Sequence, residues 1–174
     1  MLFMNLKRMI INSILLAIGA VLHQIAPPLI LGMKPDVSLA MLFVILIFNR
    51  EYKTCLAAGI VAGILAAATT TFPGGQYANV IDKIITINVM FLLFKPFRDK
   101  LNNQINIIVI TALGTIVSGS TFLTVILITM GLDAGFSVMF LSVVLPAAVV
   151  NTVVGAILFN IINVALKRGS IKQA

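Results

Sequence analysis

Apolar runs of membrane length, with nearly all charge confined to the short stretches between them, decide what this chain can be. The runs begin at Met9, Val37, Cys55, Val80, Ile105 and Phe136. Only 10% of the 174 residues are charged and 60% are hydrophobic, giving a mean hydropathy of +1.15. Soluble domains carry about 25% charged residues. Inside a bilayer every backbone polar group must be satisfied within its own segment, so such runs are helices. The expected fold is therefore a single all-α integral membrane domain spanning 1–174. Its six transmembrane helices fall at approximately 9–26, 35–49, 54–71, 79–95, 105–130 and 136–166, the last kinked near Pro146, where the ring removes a backbone donor.

The basic residues give the orientation. Six spans place both termini on one side, with Lys7, Arg8, Arg50, Lys53, Lys95, Arg98, Lys100, Lys167, Arg168 and Lys172. The other side holds only Lys34 and Lys83, which completes the twelve Lys and Arg. The positive-inside rule puts the richer side, and both termini, in the cytoplasm. The net charge of +7 is thus explained by topology, and no nucleic-acid partner is expected; the partner of the apolar surface is the lipid bilayer. A secretory signal peptide is not expected at the N-terminal run, because His23, Gln24, Pro27 and Pro28 follow it in place of a small-residue cleavage site. The lone Cys55 allows neither an intrachain disulfide nor a cysteine-based metal site.

Small residues mark the faces where helices approach closely. Ser13, Ala17 and Ala20 share one side of the first helix, a face for internal packing or for docking a partner. Gly59 and Gly63 form a GxxxG in the third, read as packing. Thr111, Gly114, Ser118 and Thr121 line one side of the fifth.

The unusual polar content lies in the outer half. Thr69 to Lys83, TTTFPGGQYANVIDK, interrupts two apolar runs with a helix-breaking Phe-Pro-Gly-Gly and then Gln76, Asn79, Asp82 and Lys83. The second run is short: from Pro35 to Asn49 a helix reaches roughly 22 Å, against a hydrocarbon core of about 30 Å. Its outer end is expected below the membrane surface, with Lys34 and Asp36 in a recess. Asp133, and Asn151 just past Pro146, lie on the same side. Ionisable groups at membrane depth face a cavity or one another, so these residues form either a set of salt bridges or a pocket. A zwitterion with an apolar side chain suits the pocket. Lys83 or Lys34 would meet its carboxylate, Asp36 or Asp82 its ammonium, and Gln76 or Asn151 a side-chain N–H, with Phe72 and Tyr77 available to stack on a ring. The candidate substrate-binding residues are Lys34, Asp36, Gln76, Asn79, Asp82, Lys83 and Asn151; His23 is a weaker one. No HExxH, GxSxG or phosphate-loop motif occurs, so neither catalysis nor ATP hydrolysis by a P-loop is expected, and no metal or cofactor is called for.

GMKPD at Gly32–Asp36, TTTFPGGQ at Thr69–Gln76, NVIDK at Asn79–Lys83 and LPAAVVNT at Leu145–Thr152, in that order and spacing, resemble the bacterial tryptophan transporter family. That family is similar to the substrate-binding S-components of energy-coupling factor transporters. The resemblance implies a six-helix S-component-like bundle in the bacterial cell membrane and L-tryptophan as substrate. It further implies a transmembrane coupling subunit and two ABC-type ATPases as partners, the coupling subunit docked on Ser13, Ala17 and Ala20. The residues alone leave open a stand-alone ion-coupled amino-acid or vitamin carrier, and a structural membrane protein with no ligand.

Overall fold

The shortest helix is the most deeply buried. In the computed structural model, which describes residues 2–27, 34–98, 100, 102–131 and 135–168 and side chains from residue 6 onward, α2 (Ser38–Phe48) is buried without interruption from Ser38 to Ile47. A helix apolar on all sides needs cover all round. It gets it from α1 (Leu2–Ile25), α3 (Tyr52–Thr69), α5 (Asn103–Thr129) and α6 (Phe136–Arg168), each of which packs on it. α4 (Gly75–Phe94) completes the bundle between α3 and α5. Sequence expectations that rest on Pro28, Gly32, Met33, Asp133 and Lys172 lie outside the described residues.

Five of the six helices are long and apolar enough to cross a membrane. The eleven residues of α2 rise roughly 17 Å, little more than half of a hydrocarbon core of about 30 Å. Because α2 is held in the centre, its shortness leaves a hollow at its N-terminal end. The outer surface of the bundle is apolar: Ile14, Ile18 and Val21 of α1 and Ile60 and Ile64 of α3 are all exposed. Such a surface is stable against lipid rather than water. The chain is a multi-pass membrane protein.

Glycines set the helix spacings. A Cβ on Gly59 would stand 2.5 Å from Ile87 Cγ2, and one on Gly63 would stand 3.1 Å from the Cα of Val80. The GxxxG of α3 is therefore the face on which α4 lies, and it brings the two backbones close. On α5, Gly114 receives the ring of Phe43, with Cζ at 2.1 Å from where a Cβ would be.

The break between α3 and α4 is short. α3 ends at Thr69; Gly74, at φ +70°, turns the chain, and the Gly75 amide donates to the Phe72 carbonyl at 3.0 Å. α4 starts at Gly75, so Gln76, Asn79, Asp82 and Lys83 all ride on one helix. Within α6, residues Phe140–Val144 form a π turn immediately before Leu145 and Pro146. Pro146 has no N–H to give, and its ring would crowd the carbonyl one turn back. The wider π turn accommodates both, and it places Val143, Val144 and Ala147 along the hollow above α2.

The Gly114–Phe43 approach is open to test. Gly114→Ala is expected to destabilise the purified protein by about 1–3 kcal/mol through overpacking, read as a fall in Tm. Adding Phe43→Leu should recover part of that loss, because the two sites share one contact. An unchanged Tm in the single variant would contradict the close approach.

Candidate functional site

The hollow at the N-terminal end of α2 is a cavity of about 690 Å³, counted out through its open mouth. All of the helices except α3 reach it: His23 of α1, Leu39 of α2, Asn79 and Asp82 of α4, Thr115, Ser118 and Phe122 of α5, and Ala147 and Asn151 of α6, together with Lys34, Asp36 and residues 70–72 of the connections. Exposure grades from Thr71 and Lys34 at the mouth to Asp82 and Asn151 at the deep end.

A charge cluster closes one side. The Lys83 ammonium lies 2.5 Å from Asp36 Oδ2 and donates to Asp82 Oδ1 at 2.8 Å. Asp82 Oδ1 also accepts from the Ser118 hydroxyl at 3.2 Å. Asp36 Oδ1 accepts from the Ser38 amide at 3.1 Å and from the Ser38 hydroxyl, which fixes the carboxylate to the start of α2. The cluster therefore ties α2, α4 and α5 together at the depth where an unpaired ion would be least tolerated. It holds two carboxylates and one ammonium, so one formal negative charge remains on it. Lys83 is 0% exposed and is not among the residues that line the cavity; Asp36 and Asp82 are. The cavity sees the acids, and the lysine stands behind them.

Lys34 occupies the mouth. Its ammonium donates to the Gln24 carbonyl at 3.1 Å, and among the described residues it has no carboxylate partner. His23 is buried on the same side, with Nδ1 2.8 Å from the Thr69 hydroxyl. That hydroxyl donates to the Leu65 carbonyl at 2.9 Å, so the ring N–H at Nδ1 donates to it, and a neutral His23 keeps Nε2 as an acceptor. The rest of the lining includes an apolar stretch. Phe72 and Phe122 meet edge to face with centroids 5.9 Å apart, beside Leu123, Val143 and Val144.

Of the candidate residues, Lys34, Asp36, Asn79, Asp82 and Asn151 line this one cavity, and Lys83 sits against it. Asn79 turns its Nδ2 to the Gly75 carbonyl at 2.8 Å. Gln76 is exposed and is not among the lining residues, because it belongs to the outermost turn of α4, beyond the end of α3. Tyr77 is 77% exposed; two residues before Asn79, it points to the far side of the helix. The aromatic rings that line the cavity are those of Phe72 and Phe122 instead. Thr115, Ser118 and Phe122 were not among the candidates. The first two carry a signal in the sequence, since with Thr111 they repeat at i, i+4 and i+7, but a run of hydroxyls reads equally well as packing. Ser13 and Ala17 of α1 are exposed and Ala20 is half-buried. Among the described residues no group of His, Cys, Asp and Glu is arranged to hold a metal ion.

A bundle of membrane-crossing helices around a charged, partly aromatic cavity is an architecture suited to a membrane transport protein. The chain belongs to the tryptophan transporter family: the model of that family, described as Tryptophan transporter TrpP, matches residues 5–167. A relative from Clostridium acetobutylicum, named "Probable tryptophan transport protein", is 56% identical over 156 residues, covering 90% of this chain and 91% of its own length. Relatives with the same printed name from Bacillus subtilis and Clostridium perfringens are 45% and 44% identical, each covering at least 96% of both chains. No solved structure matches the chain.

The charge cluster generates a stability prediction. Lys83→Met strands two carboxylates in the membrane interior and is expected to cost about 3–5 kcal/mol. Lys34→Ala, at the mouth, should stay within about 0.5 kcal/mol of wild type. Thermal unfolding of both variants in the same detergent checks this; equal Tm values would contradict the structural role given to Lys83.

Proposed function

We propose that this chain is the substrate-binding subunit for tryptophan uptake and that it binds L-tryptophan in the cavity above α2. The observation that carries the reading is the excess of acids over bases in the Asp36–Lys83–Asp82 cluster, on a cavity whose mouth holds Lys34 and whose lining includes Phe72 and Phe122. A zwitterion completes this arrangement. The substrate ammonium replaces the missing positive charge at Asp82 and Asp36, and its carboxylate meets Lys34. The indole ring lies against Phe72 and Phe122, where offset or edge-on ring contacts add to the burial of apolar area. Lys83, saturated by two carboxylates, organises the acids and does not contact substrate. The names of the relatives, and the family, select tryptophan among zwitterions with apolar side chains.

Energy is taken to come from outside the chain. The likeness to S-components supports a transmembrane coupling subunit with two ABC-type ATPases, both termini lying in the cytoplasm. The exposed Ser13 and Ala17, with half-buried Ala20 beside them, offer a smooth strip of α1 for the coupling subunit. The same excess negative charge also suits a bound cation, which supports a second reading, a stand-alone ion-coupled carrier.

Thermal shift and uptake together test the proposal. L-Tryptophan at about 100 times its dissociation constant should stabilise the purified wild type by ~2.7 kcal/mol, and Lys34→Ala should need about tenfold more ligand for the same shift. In proteoliposomes, labelled tryptophan should accumulate only when the ATPase module is present with ATP. Accumulation by the chain alone on an ion gradient favours the carrier. No stabilisation by tryptophan in the wild type overturns the assignment of the substrate.

A further inference from the structure

We infer that Asn151 reads the indole N–H of the substrate and is the residue that separates tryptophan from ring systems of the same size and shape; the inference rests on the proposed binding of tryptophan in this cavity. Asn151 lines the deep end of the cavity and is 0% exposed. Its amide is held on one side only: Nδ2 donates to the Thr115 hydroxyl at 3.3 Å, and Oδ1 has no partner. A membrane-buried amide oxygen without a donor is an unfavourable resting state, and the interhelical bond to Thr115 uses only the nitrogen of the amide. Ala148 one turn earlier and Gly155 one turn later show that the helix face itself accepts small apolar residues. With Nδ2 anchored on α5, the oxygen is the free half of the group.

Position agrees with chemistry. Lys34 and half-buried Asp36 hold the polar end of the substrate toward the mouth, so the ring must reach inward. An indole presents one polar atom, the N–H of its five-membered ring, a donor and never an acceptor. The group waiting for it has to be an acceptor that is otherwise unsatisfied, and Asn151 Oδ1 is a cavity residue's atom of that kind. The penalty falls on the wrong ligand. A ring without N–H leaves the oxygen unpaired beneath it, whereas tryptophan satisfies it.

The test compares ligands that differ at this one atom. L-Tryptophan and its sulfur isostere 3-(benzothiophen-3-yl)-L-alanine compete against labelled L-tryptophan for wild type, Asn151→Leu and Thr115→Val. Wild type should prefer tryptophan by about tenfold or more. Asn151→Leu should lose that preference, chiefly by binding tryptophan more weakly. Thr115→Val, which frees Nδ2 and lets the amide turn, should narrow it, and this variant keeps the test alive if Asn151→Leu does not fold. Equal binding of both ligands by wild type, tighter binding of the isostere, or a preference that survives in the folded variants overturns the inference while leaving tryptophan as substrate. Failure of wild type to bind tryptophan removes the proposed substrate, and this inference with it.

Discussion

One lysine shared by two carboxylates inside a membrane is the constraint on which the rest of the structure depends. Moving an ion out of water is so unfavourable that each of these groups is tolerable only with the others in place. Their positions are accordingly over-determined. Asp36 is fixed by Ser38 at the start of α2, Asp82 by Ser118 of α5, and Lys83 is enclosed by both acids. The cluster stops α2 from moving outward to fill the hollow above it. It also leaves that hollow facing two acids with one shared base.

The same economy appears in the packing. α2 is short and covered on every side, and glycines at positions 59, 63 and 114 let the surrounding helices close on it and on each other. A longer central helix would have filled the membrane and abolished the cavity. The π turn of α6 does the complementary work at the outer end, carrying the chain past Pro146 while lining the hollow with Val143 and Val144. The cavity is a space left by a helix that starts late, bordered by buried charges that need one another.

Much of this was legible in the sequence, for physical reasons. The bilayer forces long apolar runs to be helices, so six of them could be counted, and the insufficient length of the second run pointed to a recess around Asp36. Strongly polar groups at membrane depth are rare enough that Lys34, Asp36, Asp82 and Asn151 could be singled out, and all line one cavity. What could not be read was direction. Asp82 and Lys83 are neighbours on α4, and only the packing of α2 and α5 decides that the acid faces the cavity and the base stands behind it. Gln76 lost its place because one turn of helix separates a covered position from an exposed one, and Tyr77 because it points away from Asn79. Thr115 and Ser118 were not taken as site candidates since a hydroxyl on an apolar helix usually satisfies itself on its own backbone.

The central claim is that the uncompensated charge of the cluster receives the substrate's ammonium. Calorimetric binding of three ligands to the purified wild type and to Asp82→Asn tests it most directly: L-tryptophan, tryptamine, which lacks the carboxylate, and indole-3-propionate, which lacks the ammonium. The account predicts that wild type binds tryptophan best, tryptamine next and indole-3-propionate least. It also predicts that Asp82→Asn, which removes the excess charge, weakens the first two and spares or improves the third. Indole-3-propionate binding to wild type as tightly as tryptophan, or the same order of affinities in Asp82→Asn, would contradict it.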